Sequence, residues 1–296
     1  MGLIEHSLRH ATVPAADGIR LHVVEAGPED GRPVLVLHGF PEFWYGWRHQ
    51  IGPLADAGYR VQVPDQRGYG DSDRPAPVSA YNLDALAADV AALIRSTGHP
   101  GAAVVGHDWG GIVGWWLALR HPELVERLAV LNAPHPIAFR RHLRTSPGQM
   151  LRSWYMFALQ IPWLPEANLR RRNWRALAEG LRATSRAGAF TDEDLDRYRQ
   201  AWSQPGAITG MIHWYRAAMR HAPAPPAEIR VSVPTLLIWG EQDRFIDRRV
   251  AAMSLDRCDR GRLEMIEEAT HWVQHEEPAR VNRLLIDFLR DGFAAG

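Results

Sequence analysis

One segment carries the strongest chemical signal in the chain. In Val104-Val105-Gly106-His107-Asp108-Trp109-Gly110-Gly111-Ile112 an apolar run enters small-x-Asp-x-small-small and passes directly into a helical pattern. Small neighbours let one residue take a strained turn with its side chain exposed, the shape of a nucleophile elbow. Serine is the usual central residue; here it is Asp108, and no rival Gly-x-Ser-x-Gly occurs. A tight strand-to-helix connection with Asp108 as its N-cap is the competing reading. The place of Asp108 at the carboxyl end of a predicted strand, where ligands bind in open α/β sheets, favours the chemical one.

Aspartate selects a chemistry. A serine attacking a saturated carbon leaves an ether, which water does not readily cleave. A carboxylate leaves an ester, and its carbonyl turns the second step into ordinary ester hydrolysis. Asp108 therefore points to a substrate with an electrophilic sp³ carbon. Hydrolysing the ester requires a base, in the expected chain order nucleophile, acid, histidine. Trp239-Gly240-Glu241-Gln242-Asp243 closes one predicted strand, and Glu268-Ala269-Thr270-His271-Trp272 follows the last. His271 as base, oriented by Asp243, completes the set, with Glu241 as the second-ranked carboxylate. The chain has 14 histidines, and position behind the terminal strand is what singles out His271. For the oxyanion, Leu37-His38-Gly39-Phe40-Pro41 also follows a strand, and the backbone N–H groups of Phe40 and Trp109 are the expected donors. Asp65-Gln66-Arg67-Gly68-Tyr69-Gly70-Asp71-Ser72 reads as a structural loop held by arginine–carboxylate bonds.

These residues need a sheet to position them. Apolar runs at Val34–Leu37, Tyr59–Val63, Ala102–Val105 and Arg127–Leu131 alternate with helical patterns at Leu83–Ile94 and Ile112–Leu119. Continuous apolar strands alternating with helices predict an α/β fold with a mostly parallel sheet covered on both faces. Leu8–Val13 and Ile19–Glu25 predict an antiparallel edge hairpin. From about 133 to 230 no strand-like run occurs. Helices are expected at Gly148–Leu159, Leu169–Leu181, Asp192–Ala201 and Ile208–Arg220, followed by a stiff Pro223-Ala224-Pro225-Pro226 linker. Alternation resumes with a strand at Thr235–Trp239, a helix near Arg248–Leu255, the strand Arg262–Ile266 and a helix at Pro278–Leu289. A helical insert over one end of the sheet is the economical account.

Composition excludes more than it assigns. Lys+Arg and Asp+Glu number 34 each, so formal charge is zero, and nothing in that balance points to nucleic acid or an anionic membrane surface. The chain has no lysine, which removes Schiff-base chemistry. Cys258 is the only cysteine, so no intramolecular disulfide forms, as suits a reducing compartment. Residues 1–20 show no signal-peptide pattern, and no run approaches 18 apolar residues. A soluble, cytoplasmic protein without a membrane span is expected. His275-Glu276-Glu277 and His107-x-Trp109 lack ligand spacing, and no dinucleotide-binding Gly-x-Gly-x-x-Gly follows the first parallel strand. Neither metal nor cofactor is expected.

His38-Gly39-Phe40-Pro41-Glu42, Gly106-His107-Asp108-Trp109-Gly110-Gly111 and Thr270-His271-Trp272 together resemble the soluble epoxide hydrolases of the α/β-hydrolase superfamily, over almost the whole chain. The resemblance implies the α/β-hydrolase fold, with a core of residues 1–132 and 231–296 and a helical cap of residues 133–230. In that family the cap supplies two tyrosines to the leaving oxygen. The first stands five residues before the glutamine of a Gln-x-Pro, as Tyr155 does before Gln160; the second lies in Trp-Tyr-Arg, as in Trp214-Tyr215-Arg216. The implied reaction takes a hydrophobic epoxide and water to a vicinal diol, with Asp108, Asp243, His271, Tyr155 and Tyr215 as the catalytic set. A homodimer is left open. A haloalkane or haloacid dehalogenase on the same scaffold is the alternative, with the Trp109 indole facing a halide. A halide leaves without a proton, so two phenols argue for the epoxide, and fluoroacetate-type relatives usually carry arginine where this chain has Trp109. A receptor that binds without turnover is the third reading, weakened by the complete set of five side chains. Trp154, Trp163, Trp174, Trp202 and Trp214 are expected mainly to pack, and none is assigned to substrate.

Overall fold

The computed structural model describes residues 8–290. Part of the leaderless stretch expected over residues 1–20, and the outer ends of the expected core segments, lie outside the described residues. Eight strands form one sheet: β1 (Arg9–Pro14), β2 (Arg20–Ala26), β3 (Arg32–Leu37), β4 (Tyr59–Pro64), β5 (Ala102–His107), β6 (Val125–Leu131), β7 (Thr235–Gly240) and β8 (Gly261–Ile266). Their spatial order is β1-β2-β4-β3-β5-β6-β7-β8. The β1–β2 and β2–β4 pairs are antiparallel and the remainder parallel. The expected edge hairpin and mostly parallel sheet are both present.

The strand sequences explain the layering. Along β3, Val34 and Val36 face one way and Leu35 and Leu37 the other, as the two-residue period of a strand requires. Val34 and Val36 pack with Ile51 and Leu54 of α1 (Ile51–Asp56) and, from the C-terminal end, Val281 and Leu285. Leu35 and Leu37 pack on the opposite face with Leu86 and Val90 of α2 (Leu83–Ser96) and Val113 and Leu117 of α3 (Trp109–Arg120). Strands covered on both sides cannot alternate apolar with polar, which is why β3, β5 and β7 read as unbroken apolar runs.

Six helices intervene between β6 and β7: α4 (Pro136–Thr145), α5 (Pro147–Arg152), α6 (Trp154–Ala158), α7 (Leu164–Thr184), α8 (Asp192–Ser203) and α9 (Ala207–Arg220). Then come α10 (Arg249–Leu255), α11 (Val273–Glu276) and α12 (Pro278–Arg290). The helix expected at Gly148–Leu159 is two short ones. Ser146 caps the first through Gln149 N–H, and the Gln149 amide then bonds Ser153 and the carbonyl of Phe245, so a long-range contact sets the break. α7 also departs from a plain helix, with Arg172, Asn173 and Trp174 all in left-handed conformation. Trp174 is buried there against Trp202 and bonds Ser203 at 2.6 Å, an anchor outside the helix itself. Neither α1, α4 nor α11 was foreseen; α1 spans six residues and α11 four, too few for apolar periodicity to show. Among the described residues, the arginine–carboxylate pairs of the Asp65–Ser72 loop are those of Arg67, with Asp89 at 2.7 and 2.8 Å and with Asp17 at 4.0 Å. Its own Asp65 instead accepts from His22 and from the Trp44 amide.

Candidate active site

Asp108 sits between the end of β5 and the start of α3 with φ 50° and ψ −121°, a left-handed conformation that costs a non-glycine residue on the order of 1–3 kcal/mol. The glycines make room for it. A Cβ on Gly110 would run into the carbonyl groups of Leu37 and His38, and one on Gly39 into the Asp108 side chain. Asp108 occupies the N-cap position, yet its side chain makes no capping bond. Its Oδ1 accepts instead from the Phe40 N–H at 2.9 Å. Trp109 opens α3, so its N–H has no acceptor within the helix.

The loops after β7 and β8 reach the same place. Asp108 Oδ2 lies 3.6 Å from His271 Nε2, and His271 Nδ1–H donates to Asp243 Oδ2 at 2.8 Å. Glu241 does not enter the cluster: it pairs with Arg248 at 2.7 Å. Asp243 receives four donors in all. Besides His271 these are the Asn132 amide (2.8 Å) and the Phe245 and Ile246 N–H groups (2.7 and 3.0 Å). Burial alone would raise the Asp243 carboxyl, but the His271 charge and these bonds bring it below its ordinary range. Burial would likewise depress His271, and the carboxylates of Asp243 and Asp108 overcome this to lift it to about 10.

That shift predicts a pH dependence of stability. The imidazolium is favoured in the folded state, so its contribution is complete below the ordinary histidine range and fades as pH rises toward 10. The gap in melting temperature between the wild type and His271→Gln should therefore narrow from pH 6.5 to pH 10 by calorimetry. A gap that widens over this interval would contradict it.

Tyr155 on α6 and Tyr215 on α9 line one cavity of about 470 Å³ together with Asp108, His271 and Phe40. Their rings lie 5.9 Å apart at 78°. Tyr215 is wedged edge-on between Phe40 and Trp109, and Tyr155 stands against Phe245. Burial pushes both phenols up, and the Asp108 charge adds to the rise, so both stay protonated. The remainder of the wall is largely apolar, including Leu159, Leu169, Leu177 and Leu181. Trp174, Trp202 and Trp214 are buried packing residues, Trp154 lines the cavity, and Trp163 is largely exposed. The Trp109 ring packs on Trp214 and Tyr215 and is not part of the cavity wall.

Sequence reasoning missed several supports of this cluster. Asn132 follows β6 with φ 42°, accepts from the Gly240 N–H that ends β7 and donates to Asp243 in the loop beyond it. Arg152 donates to the Asp243 carbonyl, and Gln149 holds Phe245 and Asp247 of the same loop. Glu42 is buried and receives Tyr198 O–H and His275 Nε2–H at 2.7 Å and the Gln274 amide at 3.2 Å. His107, 3.2 Å from Glu42, donates through Nε2 to the His271 carbonyl, tying the Asp108 turn to the His271 loop. Glu42 and His107 carried a signal, as parts of His-Gly-x-Pro-Glu and Gly-His-Asp-Trp-Gly-Gly. Replacing Asn132 by alanine removes a bond to a buried carboxylate, worth about 1.5–3 kcal/mol. Turnover should fall about 10- to 100-fold with a lowered melting temperature, and unchanged turnover would show that Asn132 only packs.

Among the described residues no group of three or more His, Cys, Asp or Glu side chains could hold a metal ion. No described helix is long and apolar enough to cross a membrane.

The family described as alpha/beta hydrolase fold matches residues 32–278. AB hydrolase superfamily protein YfhM of Bacillus subtilis is 45% identical over 275 residues, covering 93% of this chain and 96% of that protein. Epoxide hydrolase 4 of Homo sapiens is 40% identical over 281 residues, covering 93% of this chain and 76% of that one. Among solved structures, the Bacillus megaterium epoxide hydrolase in complex with an inhibitor matches with a TM-score of 0.86 at 30% identity, covering 95% of this chain and all of that one. Sheet order, the aspartate elbow and these relatives agree: the chain belongs to the epoxide hydrolase family of the α/β-hydrolase superfamily.

Proposed function

We propose that this protein hydrolyses an apolar epoxide to a vicinal diol through an ester on Asp108, with residues 133–230 acting as a cap over a core of residues 1–132 and 231–296. The observation that carries the proposal is the unequal setting of the two Asp108 oxygens. Oδ1 is held by the Phe40 N–H, while Oδ2 faces His271 and the cavity that Tyr155 and Tyr215 share. Oδ2 is thus the attacking oxygen, and Oδ1 becomes the carbonyl oxygen of the ester.

In the first step Oδ2 bonds to a ring carbon, the ring C–O bond breaks, and the ring oxygen takes a proton from a phenol. Esterification cancels the Asp108 charge, one of the two that hold the proton on His271. That proton then passes to the tyrosinate and leaves a neutral imidazole. In the second step His271 Nε2 takes a proton from water and the hydroxide attacks the ester carbonyl. The developing oxyanion at Oδ1 receives the Phe40 and Trp109 N–H groups. Collapse expels the diol oxygen, which takes the remaining carboxyl proton. Asp108 is again a carboxylate beside protonated His271, so every charge and proton returns to its starting place. Asp243 stays ionised throughout and orients the imidazole. The buried thiol of Cys258 suits a reducing, cytoplasmic setting.

The dehalogenase alternative needs the Trp109 indole in the cavity, and its ring is packed on Tyr215 instead. A single turnover in ¹⁸O-labelled water, with enzyme in excess over epoxide, tests the proposal. The label should appear in the Asp108 carboxylate and not in the diol; label in the first diol would mean direct attack by water.

A further inference from the structure

The chain is formally neutral, but its charge is not evenly spread. Residues 136–175 hold eight arginines, every one exposed, against one acidic residue, Glu166. Glu166 is buried and bonded to Arg216. Exposed apolar side chains crowd the same segment. Of the eight large hydrophobic residues that stand most exposed, seven fall within residues 150–164, among them Trp163 (83%), Leu151 (75%) and Trp154 (66%). Three of the seven, Trp154, Ile161 and Leu164, also line the cavity, so the patch forms the rim of its mouth. Arg170, Arg171 and Arg172 follow the cavity-lining Asn168 and Leu169 along α7, while Arg140, Arg141 and Arg144 stand on α4, which packs on α5.

Contiguous exposed apolar surface on a water-soluble face marks an interaction site. Its charge selects among occupants. A symmetric second copy would set this patch against itself and bring arginines together. An anionic lipid surface satisfies both components: aromatic and aliphatic side chains enter the headgroup–acyl boundary while arginines meet phosphates. We propose that the face formed by α4–α7 docks on an anionic membrane surface, with the mouth of the cavity turned toward the lipid. The contact lies on the membrane and does not cross it.

The test is sedimentation of the full chain with vesicles of phosphatidylcholine alone or mixed with phosphatidylglycerol. The mixed vesicles should carry the protein down, and the partition should fall at least about tenfold on neutral vesicles or at high salt. Each arginine near the surface counts for about fivefold, so Arg171→Glu with Arg172→Glu should release it. Leu151→Ser with Trp163→Ser should do the same while circular dichroism and melting temperature stay unchanged. Absence of binding to either vesicle, or equal binding to both, overturns the proposal. So does a concentration-dependent dimer in the ultracentrifuge that the Leu151→Ser, Trp163→Ser pair dissociates, since a second copy would then cover this face.

Discussion

Replacing His271 by glutamine is expected to lower steady-state turnover about 10⁴-fold while sparing the first chemical step. Glutamine keeps a donor for Asp243, and Asp243 retains the Asn132 amide and two backbone N–H groups, so the loop should hold its shape. Asp108 still has Phe40 on one oxygen and an open path from the other to substrate. The variant should therefore consume one equivalent of epoxide and stop. Intact-protein mass spectrometry should show the mass of one added epoxide, and peptide mapping should place it on Asp108. An unmodified variant that has lost turnover would show that His271 serves ring opening itself, and the two-step order would fail.

The second large effect concerns the phenols. Tyr155→Phe together with Tyr215→Phe should lower kcat/KM for an epoxide by about 10³- to 10⁴-fold, near the upper range for general acid catalysis. Each single change should cost about 10- to 100-fold, because one donor remains. The rings stay packed on Phe40, Trp109 and Phe245, so little stability is lost. A control separates acid catalysis from cavity shape: an alkyl halide of similar size, whose leaving group needs no proton, should lose far less on Asp108 alkylation. Equal losses for both substrates would assign the tyrosines to positioning.

The sequence was most legible where physics leaves a local mark. β3, β5 and β7 are covered on both faces, and the covering forces apolar runs that any reader sees. Asp108 was legible because its left-handed turn demands glycine at fixed offsets. Asp243 and His271 were legible only through chain order, since the bond between them spans two loops 28 residues apart. Asn132 left no mark: one polar residue after a strand gains its meaning from the adjacency of β6 and β7, set across 111 residues. The break between α5 and α6 was hidden for the same reason, because the Gln149–Phe245 bond that defines it crosses 96 positions. Net charge misled in the opposite direction. A sum of zero concealed that acidic residues are nearly absent from residues 136–175.

The place of the helical segment between β6 and β7 has a consequence for how the molecule is made. Phe40 and Asp108 follow β3 and β5, which are complete by residue 107, and Asp243 and His271 follow strands that begin only at residue 235. Pairing across so long a gap is slow compared with local folding. Under the proposed chemistry, the group that captures substrate is thus synthesised well before the group that releases it. A chain clipped ahead of β8 would lack His271, and with it the base of the second step. Under the proposed chemistry, β8, the last of the described strands, carries the loop on which every turnover beyond the first capture depends.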